Sequence, residues 1–147
     1  MLRILLIVIG VMLVYSFIRF RIRLSVELKM VEFLAGKSMA APNDVWTMLS
    51  LASAYTNAEL YAQACSVYSR IKSDPILYNS LPQGTVESIE TNIKFCNKPL
   101  PWSNGAKDHH SFRFLHHFFL KRIGGRRYNF IREEDALAFN SYMNYKN

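Results

Sequence analysis

The sequence predicts an all-α protein that consists of an N-terminal transmembrane helix, a small helical domain and a C-terminal helical extension. An uncharged apolar run occupies residues 4–18, and apolar residues recur at helical spacing through residues 44–97. Two prolines and a glycine at residues 99–105 then interrupt the pattern. The predicted segments are an anchor with a basic juxtamembrane stretch (1–30), a linker (31–43), the helical domain (44–98) and a basic, aromatic helical region (99–147).

The apolar run is predicted to be a membrane anchor that stays on the mature chain. It lies between Arg3 and Arg19. With the two residues before Arg3 it approaches the roughly 20 residues that a bilayer core requires, because both arginines can extend their charged ends to the headgroups. A cleaved leader on an exported protein is the alternative. Its cleavage site needs a small-x-small pattern, and the nearest, at residues 38–40, lies about twenty residues downstream.

The arginines on either side of the run predict its orientation. Arg19, Arg21 and Arg23 follow the run, whereas Arg3 and the terminal amino group precede it. Loops rich in lysine and arginine stay on the cytoplasmic side. We therefore expect a single-pass protein with its N-terminus outside and the bulk of the chain in the cytoplasm. The three arginines after the run are also candidates for contact with lipid headgroups.

Residues 20–30 alternate strictly between apolar and polar, which is typical of a strand. A single strand has no pairing partner in an otherwise helical chain. We therefore expect these residues to continue the membrane helix as an interfacial segment, before the linker of small and polar residues begins.

Residues 44–75 are predicted to form two amphipathic helices joined by a tight polar turn at residues 56–57. Asp44 is a suitable N-cap for the first helix, and Asp74 ends the second because the residue before a proline leaves the helical region. Each helix has one apolar face, and the other helix is the nearest surface to cover it. The apolar positions are Val45, Met48, Leu49, Ala52 and Tyr55 in the first helix and Leu60, Ala64, Val67, Tyr68 and Ile71 in the second.

This helical hairpin resembles a tetratricopeptide repeat (TPR). Leu51, Ala52 and Tyr55 stand where the repeat pattern has leucine, a small residue and tyrosine, and Ala64 and Tyr68 follow at the expected spacing. Small residues recur in such repeats because the two helices approach closely. A methionine replaces the tryptophan of the pattern, and a plain antiparallel helical hairpin is the alternative interpretation.

The resemblance implies protein–protein binding, with a peptide or helix held against the inner face of the first helix. By the family geometry, the groove candidates are Trp46, Leu49, Ser53, Thr56 and Asn57. A third helix is predicted from about residue 80 to residue 97, but the break at 99–105 ends the array after one and a half repeats. So short an array needs neighbours, and we expect a protein partner to complete it.

Residues 109–123 predict a helix with an aromatic face and four histidines. His109 and His116 share a side of this helix, as do His110 and His117. A tight metal site usually has ligands four residues apart with carboxylate or thiolate help, which is scarce here. We expect no metal, no cofactor and no enzymatic activity. A metal-dependent enzyme that uses the histidine-rich helix is the alternative.

Basic side chains are dense after this helix and provide further candidates for lipid headgroups, namely Lys121, Arg122, Arg126 and Arg127. No nucleic-acid-binding motif accompanies them, so we expect anionic lipid and not nucleic acid as their target. An acidic first turn at residues 133–135 predicts a final helix that packs back on the core. Together these features predict a membrane-anchored adaptor or scaffold that binds one or more proteins, in a membrane complex, and membrane lipid.

Overall fold

The computed structural model describes residues 1–97 and 127–146, and these residues form helices without a strand among them. The all-α prediction is therefore confirmed for this part of the chain. The helices, in order, are α1 (Leu2–Ala40), α2 (Val45–Asn57), α3 (Tyr61–Ser73), α4 (Pro75–Asn79), α5 (Gln83–Asn97) and α6 (Glu133–Lys146). The first three lie side by side in chain order, with α2 between α1 and α3, and α5 packs against α3.

Helix α1 is continuous over 39 residues, or about 58 Å at 1.5 Å per residue. Within the described ranges it is the one helix long and apolar enough to cross a membrane. The side chains of its apolar run are exposed, whereas its second half packs against α2. The cluster between the two helices consists of Phe20, Leu24, Val31 and Leu34 of α1, with Leu51, Ala54 and Ala58.

The long helix confirms one sequence-based expectation and corrects another. Residues 20–30 are helical, as expected. The linker predicted at residues 31–43 is instead helical as far as Ala40. Val31 and Leu34 are buried against α2, so this stretch belongs to the core and not to a connection between two separate parts. Only residues 41–44 join α1 to α2.

Helices α2 and α3 form the predicted antiparallel hairpin. The side chain of Asp44 accepts a hydrogen bond from the Trp46 N–H at 3.1 Å, which confirms it as the N-cap of α2. The turn lies slightly later than predicted, because Thr56 and Asn57 still belong to α2. The chain reverses at residues 58–60 instead, where Glu59 has a φ of 61°.

Helix α5 begins and ends close to the prediction, and its inner face closes the main core over α3. The rings of Tyr61 and Phe95 meet edge to face, with their centroids 5.7 Å apart. The buried members of this core are Val45, Met48, Leu49, Ala52, Tyr61, Ala64, Tyr68, Ile71, Leu81, Ile89, Phe95 and Cys96. Two short connections, α4 and the residues after it, carry the chain from α3 to α5.

The predicted final helix is present as α6, and it packs against α1. Phe139 is buried, and its ring centroid lies 5.9 Å from that of Phe33 on α1. Tyr142 packs on the same phenylalanine at 5.5 Å. The predicted helix at residues 109–123 lies outside the described residues.

Candidate functional site

Six residues without regular secondary structure, 127–132, lie across α5 and α2 on their way to α6. We call these residues the arm. At its start, the Tyr128 N–H donates to the Asn92 side-chain oxygen at 2.8 Å, and the Asn92 amide donates to the Tyr128 carbonyl at 2.8 Å. Asn92 is fully buried and also donates to the Tyr68 hydroxyl at 3.0 Å. One amide of α5 therefore satisfies both backbone groups of an arm residue.

Hydroxyl groups of α2 hold the arm two residues further along. The Phe130 N–H donates to Ser53 Oγ at 2.8 Å. The single hydroxyl proton of Ser50 is shared between the Phe130 carbonyl at 3.1 Å and the carboxylate of Asp135, the third residue of α6, at 2.8 Å. Ser50 and Ser53 lie three residues apart and so share one face of α2. Because unsatisfied buried backbone groups are costly, these side chains make α2 and α5 a surface suited to a non-helical backbone.

Side chains of the arm also pack against the main core and against the cluster between α1 and α2. Phe130 lies edge to face with Tyr68, at 6.4 Å between ring centroids, and packs against the main core. Ile131 packs against the cluster between α1 and α2.

Burial raises the pKa of the Tyr68 phenol above its usual value, although hydrogen bonds from its neighbours act to lower it, so this group stays neutral under physiological conditions. Arg127 lies over the Phe95 ring, 5.9 Å from its centroid.

An ion-pair cluster fastens the end of the arm. Its members are Lys37 of α1, Asp44 before α2, Arg132 of the arm, and Glu134 and Asp135 of α6. Arg132 Nε lies 3.0 Å from Asp135 Oδ2, Nη1 lies 2.8 Å from Glu134 Oε1, and Nη2 lies 3.7 Å from Asp44 Oδ2. Lys37 pairs with the other Asp135 oxygen. The cluster thus joins α1, α2, the arm and α6.

Asp135 is the buried centre of this cluster. Its side chain is fully buried, and Ser50 Oγ donates to it at 2.8 Å. Burial acts to raise the pKa of this carboxyl, but hydrogen bonds from Lys37, Arg132 and Ser50 outweigh it and lower the pKa below the usual value. Asp135 is therefore a carboxylate at neutral pH, and it holds its partners as charge-assisted donors.

The predicted groove residues occupy different environments. Ser53 binds the arm directly, whereas Leu49 is fully buried in the main core. The Thr56 hydroxyl donates to the Ala52 carbonyl of its own helix at 2.9 Å. Asn57 is half-buried at the end of α2, and Trp46 is 38% exposed at its beginning.

Sequence reasoning missed several residues that hold the arm, among them Ser50, Asn92 and Asp135. One available signal was a row of hydroxyls at intervals of three on α2, Thr47, Ser50 and Ser53. These positions fall on one helix face, and all three are buried. A second signal was the single amide of Asn92 on the otherwise apolar inner face of α5.

The candidates for lipid contact also differ among themselves. Arg19 and Arg21 are exposed where α1 leaves its apolar run. Arg23 instead pairs with the buried Glu59 at 3.3 Å, and Arg127 packs on Phe95. Lys121, Arg122 and Arg126 lie outside the described residues.

The histidine-rich stretch also lies outside the part of the chain that the structure describes. Within residues 1–97 and 127–146, no group of three or more histidine, cysteine, aspartate or glutamate side chains is placed to hold a metal ion.

Comparisons of the chain with protein-family models, with curated proteins and with solved structures gave no match. The helical hairpin α2–α3 is present, but the structure gives no evidence of repeated units of the TPR kind. The resemblance therefore stays a prediction from the sequence.

Proposed function

We propose that this protein is a membrane-anchored adaptor that binds a segment of a protein partner on the inner faces of α2 and α5. The observation that carries the proposal is the pair of backbone contacts made by Asn92 and by Ser50 and Ser53. They support the proposal, because side chains here satisfy the backbone of a non-helical segment of the chain itself, as they would for a bound peptide. Such contacts are a means of holding a peptide, and no catalytic group is needed for them.

The TPR resemblance supports the same proposal from a different direction. If α2 and α3 form one repeat and α5 begins the next, the resemblance places the peptide site on the inner face of α2. Ser53, a groove candidate named from the sequence alone, binds the arm. The face of α2 that the resemblance assigns to a peptide is thus the face that holds the arm. This agreement favours a binding role in a membrane complex.

Retention of the anchor is supported by the packing of α1. Cleavage at the small-x-small pattern of residues 38–40 would remove Leu24, Val31 and Leu34, which are buried against α2. A mature chain cut there would expose one face of the domain. We propose that α1 stays, with the N-terminus outside and the domain on the cytoplasmic side, where the exposed Arg19 and Arg21 meet anionic headgroups at about 1 kcal/mol each.

The topology is tested by protease treatment of sealed vesicles of known orientation. A tag at the C-terminus should be digested in inside-out membrane vesicles and protected in right-side-out ones. N-terminal sequencing of the same preparation should begin at Met1 or the residue after it. The opposite protection pattern would reverse the orientation, and a start after residue 38 would remove the anchor from the proposal.

The adaptor role is tested by purification from membranes in mild detergent. The wild type should carry a stoichiometric protein partner, and Ser53→Leu should lose it, because a bulky side chain fills the place of the bound backbone. Ser141→Leu, at an exposed position of α6, is the matched control and should keep the partner. A wild-type protein that purifies alone from cross-linked and untreated membranes would contradict the proposal.

A further inference from the structure

We infer that the surface formed by Ser50, Ser53, Tyr68 and Asn92 binds a partner segment with the pattern aromatic–apolar–arginine, and that the arm is its built-in competitor. We call this surface the arm cleft. The inference builds on the adaptor proposal above, since it names the ligand of the adaptor's site. The hydrogen bonds and packing contacts between the arm and the arm cleft define the expected ligand.

The backbone contacts define the shape of the ligand. The amide of Asn92 and the hydroxyls of α2 engage residues 128 and 130, two positions apart, and leave residue 129 exposed. A helical segment has its own N–H and C=O groups engaged with each other, so it cannot offer them at this spacing. The ligand is therefore a non-helical stretch, and its backbone is recognised regardless of sequence.

The side chains define the pattern. Phe130 packs on Tyr68, and Ile131 on the α1–α2 cluster, so an aromatic residue followed by an apolar one fits these two places. Two residues beyond the aromatic, Arg132 donates to the Thr47 hydroxyl at 3.2 Å and lies 3.7 Å from Asp44 Oδ2, in addition to its closer ion pairs with Glu134 and Asp135 of α6. Thr47 in turn donates to Asp44, and this hydrogen bond is the largest influence that lowers the Asp44 pKa. Asp44, beside the arm cleft, thus offers a carboxylate to a cation at that position at neutral pH.

The arm and an external ligand exclude each other. The Asn92 amide and the Ser53 hydroxyl are already engaged with one backbone, so a second backbone can bind only when the arm leaves. The apparent affinity for a partner is then the intrinsic affinity multiplied by the fraction of molecules with an open cleft. Weakening the arm should raise the apparent affinity without any change in the cleft itself.

The experiment uses the full chain in lipid nanodiscs and a capped, fluorescein-labelled peptide with the sequence of residues 127–132. Phe130→Ala removes the aromatic of the arm but no group of the cleft. This variant should bind the peptide at least about tenfold more tightly than the wild type, since an arm without its aromatic occupies the cleft less. Leu137→Ala, which shortens an exposed side chain outside the arm, should bind as the wild type does.

Two changes test the recognition itself. Adding Asn92→Leu to the Phe130→Ala variant should abolish binding, with the helical circular dichroism retained. A peptide with glutamate at the arginine position should bind Phe130→Ala about tenfold more weakly than the original, because it meets the Asp44 carboxylate.

The outcomes separate this inference from the adaptor proposal. Equal peptide affinity for the wild type and Phe130→Ala, or no binding to either, would overturn the inference, even if a partner still co-purifies with the wild type. A wild-type dimer in nanodiscs or detergent that Asn92→Leu dissociates would assign the cleft to the arm of a second copy and would also overturn it. Tighter binding to Phe130→Ala that depends on Asn92 and on the peptide arginine would support it.

Discussion

At the scale of single residues, the turn after α2 contains a glutamate, Glu59, in the left-handed conformation, which is uncommon for this residue type. The Leu60 N–H donates to the Tyr55 carbonyl at 2.8 Å and the Glu59 N–H to the Thr56 carbonyl at 3.2 Å, the two hydrogen bonds of a Schellman motif. The left-handed position of this motif usually holds glycine, but here it holds Glu59. Glu59 is 1% exposed and pairs with Arg23 of α1, so the carboxylate ties the turn to the long helix.

This arrangement predicts non-additive effects of substitution on stability. Arg23→Met should reduce the free energy of unfolding by about 1–3 kcal/mol, because it removes a partner of a buried charge that is only partly screened by solvent. Glu59→Gly should regain at least about 1 kcal/mol in the Arg23→Met background, since it removes both the carboxylate and the left-handed strain. Urea denaturation of the four proteins in detergent measures the coupling.

Arg21→Met is the matched control, because Arg21 is exposed on the same helix. It should change the free energy of unfolding by less than about 0.5 kcal/mol. Strictly additive effects of Arg23→Met and Glu59→Gly would show that the two side chains do not interact.

At the scale of elements, the position of α6 depends on one buried carboxylate. Asp135 bonds Lys37 of α1, Ser50 of α2 and Arg132 of the arm, so the first turn of α6 contacts three other segments. Further along, Phe139 and Tyr142 of α6 pack on Phe33. The apolar contacts give α6 its affinity for α1, and the ion-pair cluster fixes where the helix begins.

The lowered pKa of Asp135 predicts acid sensitivity. Its folded-state pKa lies below the value of 3.8 expected in the unfolded chain, so its contribution to stability is fully present above that pH. The contribution should disappear as the pH falls through the folded-state pKa, because the protonated acid no longer attracts Lys37 and Arg132. The measurement is the free energy of unfolding by urea between about pH 7 and pH 2.5.

Asp135→Asn identifies the group responsible. This variant should be less stable than the wild type at pH 7, and the difference should shrink on acidification. Glu133→Gln, an exposed neighbour in the same turn, should keep the full acid response. A difference between wild type and Asp135→Asn that is constant with pH would contradict the assignment.

At the scale of the whole molecule, α1 joins the apolar N-terminal run and the domain in one continuous helix. About 20 residues of this helix suffice for a bilayer core, which leaves about 28 Å of the same helix to pack on α2. Phe20, directly after Arg19, is already buried against the domain. The end of α2 is thereby held close to the predicted membrane surface, with no flexible tether between them.

This continuity predicts that matched leucine substitutions in α1 have unequal effects. Leu34→Ala should reduce the free energy of unfolding by about 2–5 kcal/mol, because Leu34 is fully buried between α1 and α2. Leu13→Ala, in the exposed apolar run, should leave the stability of the domain unchanged. Denaturation in detergent micelles, followed by tyrosine fluorescence, compares the two. Equal effects would mean that α1 does not form part of the core.

Much of the fold could be predicted because its signals are local. The apolar run, the Asp44 cap and the period of apolar residues in α2, α3 and α5 each depend on neighbours within a few positions. The candidate site was predicted less completely. Ser53 came from the family geometry, and Asn92 could have been found as the single amide on the apolar inner face of α5. Asp135 is one of three acidic residues in the first turn of α6, and only its burial distinguishes it from the other two.

The sequence by itself therefore determined the all-helical class, the apolar N-terminal helix and the antiparallel hairpin, since short-range hydrophobic period and capping decide these features. Only the tertiary structure decided that residues 31–40 continue α1, that the arm lies on α2 and α5, and that Lys37 pairs with Asp135. The reason is physical: these features depend on contacts between residues up to 98 positions apart, and the local pattern of one segment does not specify which distant segment packs on it.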